Sequence, residues 1–351
     1  MPATRIALSL GGGGARGYAH IGVIQVLEEH GYDIVAVAGT SMGALVGGLH
    51  AAGVLHEYSA WVSGLSQRDV LRLLDPAVRG PSAIRGDKVL GRVAELLHGR
   101  RIEDLAIPYT AVATDLLARR EVWFQRGPVD AAIRASVALP TIFPPVMLNG
   151  RLLVDGGLMN PVPIDPLASV RADAIVAVSL AGVAGEVARA PEEESTERRP
   201  TEEWLERFRR HAAQVLDREQ LRMLSRRLVT SRPHAADEPS EDDALAAPGT
   251  EGPVDAPTRG RPPDPEQVFD SLPPGLTTLD VVDLSLDAMQ DLVTRYRHAT
   301  FPPDLLVTVP KNSCRTLDFH KAGTMVELGR QRAEETLASA TGFPGPGRPA
   351  G

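Results

Sequence analysis

Two glycine-framed turns near the start of the chain constrain its fold more than any other feature: Gly11-Gly12-Gly13-Gly14-Ala15-Arg16-Gly17 and Gly39-Thr40-Ser41-Met42-Gly43. Each follows a short apolar run that reads as a strand, Ile6 to Leu10 and Ile34 to Ala38, and each opens a stretch with helical spacing. Strand, tight turn and helix in succession, repeated, belong to a largely parallel α/β sheet. The second turn has the form G-x-S-x-G, a bend that projects the Ser41 hydroxyl out of the backbone. Gly39 and Gly43 are required there because strand and helix approach too closely for side chains. The first turn offers backbone N–H groups at a helix N-terminus, where partial positive charge gathers an anion. A serine beside an anion cradle outlines an acyl-transfer enzyme.

The alternation of strand-like and helical stretches continues to about Leu180. Strands are expected over Tyr109 to Thr114, Glu121 to Phe124, Leu152 to Val154 and Ala174 to Leu180. Helices are expected to run from Met42 to about Ala52, over Asp87 to Leu97 and over Pro128 to Leu139. Past Val183 the composition changes. Thr201 to Leu228 reads as an amphipathic helix with an arginine-rich polar side, suited to covering the site or touching a membrane, or equally to packing on the core with a solvated face. The stretch 233–258 carries seven acidic residues and no Lys or Arg, cannot bury a core, and falls within a segment, 233–273, expected to be disordered. Leu284 to Ala299 and Thr324 to Ala338 read as helices, and Asp304 to Val309 as a strand. The expected organisation is a core over 1–182, an insert over 183–279, the rest of the same domain over 280–341 and a loose tail, 342–351.

Composition removes several classes of function. With 351 residues, 43% of them hydrophobic, the chain can bury a sizeable core. A formal net charge of −8 gives no general attraction to nucleic acid. One cysteine, Cys314, excludes an internal disulfide and fits a reducing compartment. No secretory signal or membrane-length apolar run is visible, so the expected location is cytoplasmic, with peripheral contact at the inner membrane face as its furthest extent. No cluster has metal-ligand spacing, and neither a metal nor a cofactor is expected.

Gly12 to Gly17 also satisfies G-x-G-x-x-G, the dinucleotide fingerprint. That motif expects an acidic residue after the next strand, where this chain places the Ser41 turn instead. Serine needs a base. The order Ser…Asp…His would nominate His298 or His320, but only two strands precede Ser41, which does not suit an α/β-hydrolase. Asp155 stands out: it follows the strand Leu152 to Val154 and is trailed by Gly156-Gly157, which sets a carboxylate at a strand end. A turn aspartate bonding its own backbone would look the same. Paired with a serine that lacks a good histidine, Asp155 becomes the favoured base.

The three segments Gly12 to Gly17, Gly39 to Gly43 and Asp155 to Gly157, in this order, resemble the signatures of patatin-like phospholipases. Flanking text resembles bacterial members: Tyr18 to Val23, Ala135 to Pro140, Ile142 to Val146 and Asn160 to Pro163. The resemblance implies an α/β fold, three-layer α/β/α with a mostly parallel central sheet, interrupted here by a partly disordered insert. It implies a Ser–Asp dyad hydrolase acting on lipid acyl esters, with Ser41 the nucleophile and Asp155 the proton acceptor. The oxyanion hole falls on Gly12, Gly13, Gly14, Ala15, Arg16 and Gly17, the elbow on Gly39, Met42 and Gly43, and the turn on Gly156 and Gly157. Arg16 either braces the loop or favours anionic lipid. The alternatives are a non-catalytic lipid-binding or regulatory protein of the same fold, and a generic carboxylesterase. The partner implied is a lipid or acyl-ester substrate; oligomeric state is left open.

Overall fold

The computed structural model describes residues 3–74, 86–140, 142–182 and 278–345. They belong to one compact unit made of Met1–Glu186 and Leu272–Gly351. The arginine-rich stretch 201–228 and the acidic segments 233–258 and 233–273 lie outside the described residues.

The first apolar run forms β1 (Arg5–Leu10), followed by a 3-10 turn (Gly14–Tyr18) and α1 (Ala19–Glu29). The second forms β2 (Asp33–Thr40), followed by α2 (Met42–Ala51). Two short helices, α3 (Leu55–Ser63) and α4 (Gln67–Leu74), come next. The chain continues through α5 (Asp87–Leu97), β3 (Tyr109–Asp115), β4 (Arg120–Phe124), α6 (Val129–Ser136), β5 (Val146–Leu148), β6 (Arg151–Asp155) and β7 (Ala174–Gly182). The last elements are α7 (Thr278–Thr300), β8 (Leu305–Pro310) and α8 (Ala322–Ser339). The expected α6 was too long: it stops at Ser136, four residues before Pro140, because Val137 leaves the helical region.

The eight strands form one mixed sheet. β1 lies between β2 and β7, β2 next reaches β3, and β7 next reaches β8, all parallel. β4 and β6 are antiparallel to β3, and β5 is antiparallel to β6. β4 pairs with Ala111–Asp115 of β3, while β2 pairs with Tyr109–Val112 and β6 with Ala113–Asp115. A strand has only two edges. β4 therefore takes one edge of β3, and β2 and β6 share the other, end to end.

Alternate residues of the central strands serve two different layers. Ile6, Leu8, Leu10, Val37, Val176 and Val178 face the large core under α1, α2, α6 and α8. On the opposite face Ala7, Ala36 and Ala38 are small enough for the coil around Leu167 to pack against the sheet. α7 is held over that second face through Glu121 of β4 and the coil after β6.

Candidate active site

The loop after β1 and the turn after β2 both leave the sheet at its carboxyl edge, where ligands of open parallel sheets bind. Ser41 sits at the apex of its turn with φ 56° and ψ −122°, a conformation a non-glycine residue adopts only under constraint. The constraint is visible in its neighbours. A Cβ on Gly39 would lie 2.4 Å from the Gly43 carbonyl carbon, and one on Gly43 would lie 2.1 Å from the Leu10 carbonyl oxygen. Strand, turn and helix are in backbone contact there, as the motif demanded.

A second restraint had no counterpart in the sequence reading. The Ser41 N–H donates to the Ser136 Oγ at 2.9 Å, and the Ser136 hydroxyl donates to the Val112 carbonyl at 2.6 Å. Ser136 is fully buried at the end of α6 and ties the Ser41 turn to β3. Its only sequence signal was its place in the flanking text Ala135 to Pro140.

Asp155 ends β6 and is 2% exposed. Its Oδ1 accepts the Gly157 N–H at 2.7 Å, and the Ser41 side chain lies near enough to pull its pKa down. Burial pushes its carboxyl up to about 6, against the opposing pull of the Ser41 hydroxyl and the Gly157 N–H. Gly156 packs on β3 so closely that a Cβ would lie 2.2 Å from the Val112 carbonyl oxygen.

The glycine loop is held from several sides. His20, fully buried, donates from Nε2 to the Gly11 carbonyl at 2.7 Å. Burial lowers its pKa to about 4, so the ring is neutral near pH 7. Arg16 donates from Nε to the Gly13 carbonyl (3.2 Å) and from its guanidinium to the Lys311 carbonyl (2.7 Å). Of the two roles open to Arg16, the geometry shows bracing. The loop's own N–H groups divide: Gly12 donates to Pro161 and Ala15 to Thr316, each at 2.9 Å. Among the described residues no acceptor takes the N–H of Gly13 or Gly14. Met42 packs on Gly17, where a Cβ would come within 2.3 Å of its own.

A cleft opens from Ser41 and Gly14. Its lining is apolar, with Leu45, Trp61, Leu90, Leu139 and Phe143 among the residues that close around it. Neither His298, on α7, nor His320, in the 3-10 turn Phe319–Lys321, lines this cleft. Cys314 is buried and its thiol is pushed up to about 11, which keeps it protonated.

Behind the Asp155 turn lies an ionic network. Arg297 of α7 donates to the Met159 carbonyl (2.9 Å), to Asp165 (2.6 Å) and to Glu121, and Asn160 donates to Glu121 at 2.9 Å. The Thr40 hydroxyl donates to the Asn160 carbonyl at 2.8 Å, joining the end of β2 to the same coil.

The family model described as Patatin-like phospholipase matches residues 8–168, which include both glycine turns and Asp155. An uncharacterized NTE family protein of Mycobacterium bovis is 46% identical over 341 residues, 95% of this chain and 91% of that protein. The chain belongs to the patatin-like phospholipase family. Within it, the lysophospholipase NTE1 of Cryptococcus neoformans is 38% identical over 171 residues, 46% of this chain and 10% of its own length. The patatin-like phospholipase domain-containing protein 6 of Mus musculus is 35% identical over 188 residues, 50% of this chain and 13% of its own. Membership supports lipid acyl hydrolysis as the general activity, with a lipid as the substrate class. Among the described residues no helix is long and apolar enough to cross a membrane, and no group of His, Cys, Asp or Glu is placed to hold a metal ion.

Proposed function

We propose that this patatin-like protein cleaves acyl esters of lipids through a Ser41–Asp155 dyad, by way of an acyl-enzyme. The observation that carries the reading is a buried carboxylate brought beside a serine held at a strained turn, next to an apolar cleft. Asp155, with its pKa raised to about 6, is a better proton acceptor than an ordinary aspartate and is still mostly ionised at pH 7. It takes the hydroxyl proton as Ser41 Oγ attacks the ester carbonyl. The oxyanion is met by the N–H groups of Gly13 and Gly14, since those of Gly12 and Ala15 are already bonded elsewhere. Such preorganised donors are each worth about 10²–10³ in rate.

Collapse of the tetrahedral intermediate expels the alcohol, which leaves with the proton held on Asp155. Water, deprotonated by Asp155, then attacks the acyl-serine, and the proton passes back to Ser41 Oγ as the fatty acid departs. The apolar cleft beside Ser41 receives the acyl chain, and its burial of methylene groups favours long chains.

A fluorophosphonate probe tests the proposal together with release of fatty acid from lysophospholipid and phospholipid vesicles. Labelling confined to Ser41, and fatty acid release abolished in Ser41→Ala, is the expected result. A folded protein that neither labels nor releases fatty acid would instead be a lipid-binding member of the family.

A further inference from the structure

Two β-hairpins stand side by side past the carboxyl end of β2. β3 and β4 are joined through Leu116–Arg119, and β5 and β6 through Asn149-Gly150, both with φ above zero. The Leu116 N–H donates to the Leu152 carbonyl at 2.9 Å, which continues the Asp115–Leu153 pairing by one residue. Leu152 in turn pairs with Met147. Leu152 and Met147 therefore sit opposite each other on one face of the sheet, with Leu116 beside Leu152 just past the end of β3. The other face carries Leu153 and Val146, which pack into the core with Ala135.

The ends of this row, Leu116 and Met147, are open to solvent, with Leu152 half-buried between them. Met147 is 64% exposed and Leu116 46%, and Leu117 at the hairpin tip is 69% exposed. Single exposed apolar side chains are ordinary, whereas a contiguous row leading to a tip marks a contact surface. Exposed Arg119 stands at the tip, and exposed Arg120 and Arg151, on the Asp115 and Leu153 side, flank the hairpins on the opposite face. Asp115, the carboxylate beside Arg151, is buried, accepts the Ala118 N–H and lies 4.0 Å from Arg151. Arg119 and Arg120 have no ion pair among the described residues. This edge is locally positive on a chain whose net charge is −8.

We infer that the twin-hairpin edge docks on an anionic lipid surface. Leu116, Leu117 and Met147 enter the boundary between headgroups and acyl chains, and the three arginines meet lipid phosphates. The placement fits that partner. Ala113, the pairing partner of Asp155, lies on β3 just before the tip, so the docked edge is the one at which Ser41 and Asp155 meet. The choice of lipid over protein as partner rests on the hydrolase reading above.

Co-sedimentation of the full chain with phosphatidylcholine vesicles, with and without phosphatidylglycerol, tests the surface, alongside turnover of a water-soluble short-chain ester. Wild type should bind the anionic vesicles preferentially. Leu117→Ser with Met147→Ser should weaken that binding about tenfold. Arg119→Gln with Arg120→Gln should weaken it roughly twentyfold and lessen the preference for anionic lipid. Both variants should keep the wild-type melting temperature and soluble-ester rate, since none of these side chains is in the core or the site. Variants that bind like wild type would overturn the assignment and place membrane contact elsewhere, for example in 201–228. Wild type that binds neither vesicle, or both equally, would also overturn it. Hairpin-dependent binding by a protein that turns over no soluble ester would uphold the docking surface and defeat the hydrolase reading alone.

Discussion

Ser41 and Asp155 meet because β3 receives, on a single edge, the ends of two strands that run in opposite directions. Thr40, the last residue of β2, pairs with Val112, and Asp155, the last residue of β6, pairs with Ala113. Adjacent register positions on one rigid strand thus fix the separation of hydroxyl and carboxylate. Ser136 locks the arrangement by bonding both the Ser41 N–H and the Val112 carbonyl.

Asp155→Asn should remove ester hydrolysis almost as completely as Ser41→Ala, by several orders of magnitude, with no further loss in the double variant. His298→Ala and His320→Ala should keep most activity. A dead histidine variant beside an active Asp155→Asn would return the protein to a histidine-dependent mechanism.

The same carboxylate sets a pH profile. Its folded pKa, about 6, is above the ordinary 3.8, so the proposed base is lost on acidification. The rate should fall about tenfold for each pH unit below 6 and level off above 7, read from kcat/KM on a soluble ester. The sign for stability is opposite: between 3.8 and 6 the folded state holds the proton that the unfolded state has released. Asp155 therefore costs stability as pH rises through that window, up to about 3 kcal/mol near neutrality. Asp155→Asn should melt higher than wild type at pH 7 while doing no chemistry.

His20 works in the other direction. Its folded pKa, about 4, lies below the ordinary 6.5, so the unfolded chain binds a proton first on acidification. Its contribution is complete above 6.5 and lost as pH falls toward 4. His20→Gln, which can still donate to the Gly11 carbonyl, should flatten that part of a stability–pH curve measured by urea unfolding.

Ser136→Ala leaves the Ser41 N–H and the Val112 carbonyl without their shared partner in a buried setting. The expected cost is about 2–4 kcal/mol by urea unfolding, since each buried unpaired group costs about 1–3 kcal/mol. A tenfold or larger fall in kcat with KM nearly unchanged should accompany it, and fluorophosphonate labelling of Ser41 should slow but persist.

Arg297→Met strands Glu121 and Asp165, which are largely shielded from solvent, without their cation. Removing one member of such a network costs about 3–5 kcal/mol. Loss of the bond to the Met159 carbonyl should also loosen the Asp155 turn, so activity should drop more than tenfold at temperatures where the variant is still folded by circular dichroism.

Much of the site was legible in the chain because its requirements are local. A turn that brings strand and helix backbones into contact admits only glycine at Gly39 and Gly43, and a strand end followed by Gly156-Gly157 fixes a carboxylate at a bend. α5 was legible to the residue, since Asp87 to Leu97 repeats its apolar residues at helical spacing within one segment. β5 was missed although Asn149-Gly150 between apolar residues is a hairpin signal. α3 and α4 were missed because their apolar faces join a cleft shared with Leu139 and Phe143 from far along the chain.

The sequence by itself determined the parts: a constrained serine, a glycine loop at a helix start, and an aspartate at a strand end. Each depends on steric limits acting over a few residues. Tertiary structure alone decided how they combine. Asp155 reaches the carboxyl edge on an antiparallel strand that shares β3 with β2, a pairing no local pattern encodes. Which loop N–H groups stay available is likewise set by Pro161 and Thr316, distant carbonyls brought in by packing. Desolvation of Asp155, the cause of its raised pKa, comes from all the surrounding layers at once. Burial belongs to the assembled fold and to no single segment of the chain.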